Sequence, residues 1–295
     1  MNQSQPTYGG QAVIEGVMIR GQKNIVVAIR APSGKIKTRV KRINKLFSGH
    51  LRQIPILRGA IALAETLYIG MDSLSYSASV SNEDEDVELT KWSLALMMLF
   101  SVSIAIGLFF ILPLLASKPF EGILGSNLVS NIAEGFIRLA IFLAYIVVIG
   151  FMSDIRRVYM YHGAEHMTVH AREKGDSLTI SNIRKYPTAH PRCGTAFLLT
   201  VMLVAIIVFS LIPRDPFWWL LVSRIAFIPL IASISYEVIR FSGNHTNNIF
   251  VHAIMAPSLW LQSLTTKQPE DNQIEVAIRA MNSAIEADGT SLSAS

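Results

Sequence analysis

Four stretches are apolar over about the 20 residues that a spanning helix needs: 92–116, 132–152, 195–212 and 217–239. The first holds no charge. The second carries Glu134 and Arg138 near its start, at helical i,i+4 spacing that predicts a pair near the outer interface. The third is short but uncharged. The fourth is interrupted by Arg224 and Pro229 and ends in Glu237. Ahead of these runs the period changes, and residues 11–42 read as strands. "NIVVAIRAP" and "KIKTRVKRI" flank Pro32, Ser33 and Gly34, the turn chemistry of a hairpin. Ile36, Thr38 and Val40 alternate with Lys35, Lys37, Arg39 and Lys41, giving an apolar face and a basic face, the latter expected near anionic lipid headgroups. Residues 52–79 predict an interfacial or re-entrant helix, because Glu65 and Asp72 oppose full insertion. "SNEDEDVE" follows as an acidic loop. At the far end, residues 273–287 put Ile274, Ala277, Ile278, Met281 and Ile285 on one face of an amphipathic helix, and "DGTSLSAS" reads as disordered.

Composition strengthens the membrane reading. Of 295 residues 51% are hydrophobic and only 16% charged, where soluble domains average about 25%. The single cysteine, Cys193, excludes an internal disulfide framework. The start has no basic region leading into an apolar one, so no cleavable signal peptide is expected. The net charge of +5 is explained by its placement. Twelve Lys and Arg residues precede the first run and seven lie between the second and third, while the other two connections carry Lys118 and Arg214 alone. Basic segments stay in the cytosol, which puts both termini and the middle loop there. Nucleic acid is not an expected partner, because no aromatic residues interleave with the basic ones. The lipid bilayer is, together with a membrane-protein partner.

The expected fold is therefore a mainly α-helical membrane protein with about four transmembrane helices and a small N-terminal β-containing cytosolic region. It divides into a β-rich region (1–51), the interfacial helix with its acidic loop (52–91), two spans (92–153), a cytosolic loop (154–194), two more spans (195–240) and a cytosolic tail (241–295).

The chemistry gathers in that loop. "YHGAEHMTVHARE" has no helix breaker but Gly163, so the second span is expected to run on as one helix into the cytosol. His162 and His166 then share a face and can grip one ion, with His170 a further turn along. Glu165 is placed to be a ligand, or the base that takes a proton from water at the metal. "HGAEH" matches the H-x-x-E-H pattern of one zinc-peptidase class, in which a distant glutamate is the third ligand; Glu237 formally fits that part. "HPRCGT" adds His190 and Cys193, both zinc-ligand types, in a turn shaped by Pro191 and Gly194. His245 is a further candidate. His50, His170 and His252 read as lone hydrogen-bonding histidines.

With "GGQAVIEGVMIRG", "SYEVIR" and "LTTKQPEDNQIEVAI", these motifs resemble the YqhQ-like bacterial membrane proteins over about residues 8–280. That family carries a domain of unknown function and is described as predicted metal-dependent enzymes. The resemblance implies a multi-pass protein of the bacterial inner membrane. It also singles out Gly9, Gly10, Glu15, Gly16, Met18 and Arg20. Glu15 is expected either to join the site or to pair with Arg20 or Arg58. The family pattern continues "YHGAEHK", where this chain has Met167.

Two functions follow. One is a membrane enzyme, a zinc hydrolase with a cytosol-facing site, in which His162, His166, His190 and Cys193 hold the metal and Glu165 is the base. The other is an assembly factor or scaffold whose same residues form a structural metal site or hydrogen-bond network. A small transporter fits less well, since the spans hold few polar groups and no repeat.

Overall fold

The computed structural model describes residues 8–44, 54, 57–83, 91–120, 126–191, 193–244 and 249–293. His50 and His245 lie outside them, as does most of the acidic loop. The protein is mostly helical, with a four-stranded antiparallel sheet at its N-terminal end: β1 (Gly9–Val13), β2 (Gly16–Arg20), β3 (Asn24–Arg30) and β4 (Ile36–Arg42), in that spatial order. The expected hairpin joins β3 to β4, with Gly34 at φ 79°. A second tight turn joins β1 to β2, where Val13 pairs with Gly16 and Glu15 takes φ 51°.

The middle strands are apolar without alternation because both faces of the sheet are covered. Val17, Ile19, Val26 and Ala28 face two helices, α5 (Ser153–Lys174) and α11 (Asp271–Ser293). Met18, Ile25, Val27 and Ile29 face α1 (Leu57–Ser81), through Ile69 and Val80. In β4 the alternation is weaker than expected, since Val40 is 52% exposed. Its basic face meets carboxylates: Arg39 and Lys41 hold Asp72 at 2.6 and 2.8 Å, and Lys37 holds Glu83 at 2.5 Å. Arg58, Glu65 and Asp72 recur every seventh residue of α1 and each is paired, with Glu237, Arg20 and the β4 cations.

The remaining helices are apolar. They are α2 (Lys91–Ile106), α3 (Leu112–Ser117), α4 (Asn127–Ile149), a single turn α6 (Ile180–Ile183), α7 (Gly194–Ser210), α8 (Phe217–Ala226), α9 (Ile228–Asn244) and α10 (Ile249–Thr265). Five residues of π-helix, Gly107–Ile111, link α2 to α3. Among the described residues two helices are long and apolar enough to cross a membrane, Ala95–Ser117 and Asn127–Ile149. A third crossing is available if α8 and α9, bent by 43° at Phe227, act as one; α7 is a shorter apolar helix. Along α2, Leu96, Met97, Met98, Leu99 and Phe100 all face outward, an apolar surface that suits lipid.

Several expectations change. α4 does not run on into α5. The chain turns at Gly150, and extended backbone at Met152 starts a new helix, because Gly150 packs against the Tyr159 ring and a Cβ there would crowd it at 3.3 Å. The last helix runs to Ser293, through the segment expected to lack order. It is tied down by Asp288, which accepts hydrogen bonds from the Gln22 and Lys23 amides and from Asn24. α10 was not expected; its 17 residues, mostly apolar, hold Pro257 and fall short of a span.

The Glu134–Arg138 pair is present, at 2.5 Å, but is part of a larger buried cluster. Arg214 and Arg224 reach the same carboxylate at 2.9 and 3.0 Å and also share Asn131. Arg138 Nε donates to the Phe109 carbonyl in the π-helical segment.

Candidate metal centre

α5 is the spine of the site. It is buried along its middle, from Tyr159 to Ala171, between the sheet and α11. His162 and His166 stand one turn apart on it, with ring centroids 4.3 Å apart. The loop that leads into α7 brings Cys193 over them. A hydrogen bond from the Cys193 amide to the His190 carbonyl closes the turn expected there. Cys193 is the N-cap of α7, and its Sγ accepts from the Thr195 amide.

Each histidine is oriented through its outer nitrogen. His162 Nδ1 lies 2.9 Å from the Thr265 carbonyl, and His166 Nδ1 lies 2.6 Å from the Thr188 carbonyl. A carbonyl only accepts, so both Nδ1 atoms carry a proton, which leaves Nε2 as the atom each ring turns inward toward an ion. This is how metal-binding imidazoles are usually held. His162 Nε2 is 3.1 Å from Cys193 Sγ. His166 Nε2 is fully buried and has no hydrogen-bond partner among the described residues. One donor atom from each of His162, His166 and Cys193 lies within 4.8 Å of the others. A buried nitrogen with an unused lone pair, a second imidazole and a thiol, all converging, fit a zinc-type ion.

Burial holds His166 below its ordinary range, so its ring is neutral. Glu165 is buried too, and burial pushes its carboxyl above the usual range, while His162 and His190 act in the opposite direction. Its Oε2 is 3.8 Å from His166 Nε2. A cavity of about 250 Å³ opens beside these groups, lined by Glu165, His166, His190 and Cys193 from one side and by Tyr8, Gly9, Gly10 and Arg20 from the sheet. Gly10 makes the close approach possible: a Cβ there would meet Glu165 Cγ and the Met18 carbonyl, both at 2.7 Å. Gly10→Ala is therefore expected to destabilise the fold by about 1–3 kcal/mol. Gly9→Ala, with nothing within 4 Å, leaves the melting temperature unchanged. Thermal unfolding of the two variants side by side checks this.

Other expected site residues lie elsewhere. His190 lines the cavity, but its ring is 5.8 Å from that of His166 and 4.4 Å from that of His170, and its Nε2 meets Glu173 at 3.3 Å. Glu237 is not a third ligand, because Arg58 holds it in a two-point ion pair. Glu15 neither joins the site nor pairs with Arg20 or Arg58; its carboxylate takes Arg157 and the Tyr161 hydroxyl. Of the N-terminal motif, Gly9, Gly10 and Arg20 line the cavity, and Glu15, Gly16 and Met18 do not. Met167, where the related pattern has lysine, is fully buried in the core between α5, α11 and the sheet, a place for an apolar side chain.

Some contributors were not singled out from sequence. Thr188 and Thr265 act only through carbonyls, which any residue supplies. Gln262 clamps the loop, accepting from the His190 amide at 2.8 Å and donating to the His190 carbonyl at 3.0 Å. Its signal was a long polar side chain in a mostly apolar helix. Gly163 lies under the strand of chain after α10, and a Cβ there would sit 2.2 Å from the Lys267 carbonyl.

Residues 54–287 match the model of a family described as "Protein of unknown function (DUF1385)". The chain is also 32% identical over 300 residues to a protein of Bacillus subtilis (strain 168) described as "Uncharacterized protein YqhQ". That alignment covers 97% of this chain and 94% of the other. No solved structure matches the chain.

Proposed function

The chain belongs to the DUF1385 family, and we propose that it is an integral membrane hydrolase that uses a divalent metal, zinc by the character of its donors. The observation that carries this is the convergence of donor atoms from His162, His166 and Cys193 beside a cavity that His166 and Cys193 line together with the buried carboxyl of Glu165. Three protein ligands leave a position open, as catalytic zinc sites do, whereas four close it. A metal bound there supplies Lewis acidity at neutral pH. Glu165 accepts a proton from water in the cavity, a task that suits a carboxyl whose affinity for protons burial has raised. Arg20, fixed by Glu65 at 2.7 Å, presents a cation to the same space for charge that develops on substrate.

Four crossings, at 92–116, 132–152, 195–212 and 217–239, with both termini and the site in the cytosol of a bacterial inner membrane, complete the proposal. The apolar helices α2–α4, α7 and the bent α8–α9 pair support the crossings. The sheet, α5 and α11 pack into one body, so the N-terminal strands, the metal-site segment and the last helix share one side of any bilayer. The excess of Lys and Arg before the first run and between the second and third supports the cytosol as that side.

The test compares wild type with Glu165→Gln, purified in detergent, for bound metal and for hydrolysis of a panel of chromogenic esters, amides and phosphoesters. Both proteins are expected to hold metal, and the variant to lose at least 100-fold in rate, the lower reach of general-base catalysis at about 10²–10⁴. Equal rates in the two proteins contradict the role given to Glu165 and favour the scaffold reading of the same residues.

A further inference from the structure

The row of donors on α5 continues past His166. His170 is the next turn and Glu173 follows on the same side of the helix, near the loop residue His190. One donor atom from each of His170, Glu173 and His190 lies within 4.8 Å of the others. The four imidazoles form a continuous line, with centroid separations of 4.3 Å from His162 to His166, 5.8 Å from His166 to His190 and 4.4 Å from His190 to His170.

The way His170 is held points to a separate ion. Its Nε2 lies 2.9 Å from the Ala189 carbonyl, so that nitrogen donates and Nδ1 keeps the lone pair. His162 and His166 are held the other way round, through Nδ1. The ring of His170 also stacks on Tyr186, 5.9 Å away and 9° from parallel, which fixes its plane. His190 is fixed through its backbone by both ends of the Gln262 amide. The donor set has two nitrogens and a carboxylate oxygen, harder than the two nitrogens and sulfur of the first group.

We propose that His170, Glu173 and His190 hold a second divalent cation, which makes the site a two-metal centre. The proposal rests on the first-site reading given above. The cavity is lined by His166 and Cys193 of the first group and by His190 of the second, so both groups border one space. Two-metal sites of this kind clamp the oxygens of phosphoesters and amides, which narrows the substrate class to hydrolysable esters of phosphoric acid or peptide-type amides.

The full chain in detergent is equilibrated with zinc, desalted and analysed for zinc per chain, with circular dichroism melting as a check on folding. In parallel, cobalt(II) is added and the thiolate-to-cobalt absorption recorded, which reports only the group that contains Cys193. Wild type is expected to hold two equivalents. His170→Gln and Glu173→Gln are expected to hold one and to keep the full thiolate absorption. Cys193→Ser is expected to hold no more than one and to lose that absorption. A wild-type protein that saturates at one equivalent, with the absorption intact, overturns the second site alone. So does a His170→Gln variant that still holds two. Wild type without any metal overturns the first-site reading along with it.

Discussion

Glu134→Ala is expected to lower stability by about 3–5 kcal/mol, the range for breaking a buried ion pair from one side, and to show as a large fall in melting temperature in detergent. Glu134 is 1% exposed, and three guanidinium groups converge on its two oxygens. Without the carboxylate, Arg138, Arg214 and Arg224 stay buried within one small volume and repel one another. The remaining acceptors offset little. Asn131 accepts from Arg214 and Arg224, the Phe109 carbonyl accepts from Arg138, and the Phe209 ring lies 4.3 Å from Arg224. The effect spreads because these residues come from α4, the α7–α8 connection and α8, with Phe109 in the π-helical segment, so the cluster fastens that end of the helices together. Glu134→Gln keeps an acceptor without the charge and is expected to fall between wild type and alanine. Phe136→Ala, on the exposed face of α4, is the control and leaves the melting temperature within a few degrees. A Glu134→Ala protein that melts with wild type would mean that the three arginines are not confined as described.

Gly163→Ala is the second large expectation, a net loss of about 2–3 kcal/mol. Alanine inside a helix is normally worth about 1 kcal/mol over glycine. Here the gain is overwhelmed, because the added Cβ would lie 2.2 Å from the Lys267 carbonyl, which is backbone and cannot swing aside. That backbone is held in place, since the Lys267 amide donates to the Tyr159 carbonyl at 2.9 Å. Relief requires the connection between α10 and α11 to move off α5, and it would carry with it the Thr265 carbonyl that orients His162. Weaker metal binding should therefore accompany the lower stability. Gly289→Ala in α11, where nothing lies within 4 Å, is expected to be neutral or slightly stabilising. Equal melting temperatures for Gly163→Ala and wild type would sink the close-packing argument.

The pairing of His162 with His166 was legible because it needs only the helical period, and the four-residue spacing survives whatever the helix packs on. Cys193 was legible from residue type and from its place at the start of an apolar run. The hairpin at Gly34 was legible because turn chemistry is local. What failed was non-local. Glu15 finds Arg157 and Glu237 finds Arg58 across 142 and 179 positions, and no spacing rule reaches that far. His190 was grouped with Cys193 by proximity in sequence, but the turn between them points the two side chains to different neighbours. His170 read as a lone hydrogen-bonding histidine, and its Nε2 does meet the Ala189 carbonyl; that His190 and Glu173 lie near it shows only once the loop folds back on α5. The break after α4 carries no proline, and Gly150 signals it only through the ring of Tyr159 packed beside it.

The most direct test of the central claim uses the fact that Cys193 is the only cysteine in the chain. Any thiolate-to-cobalt absorption on titration with cobalt(II) must arise at that residue. A saturable band is expected, abolished by Cys193→Ser and lost or strongly weakened in His162→Ala and His166→Ala. No band in the wild-type protein, or a band indifferent to both histidine substitutions, would contradict it.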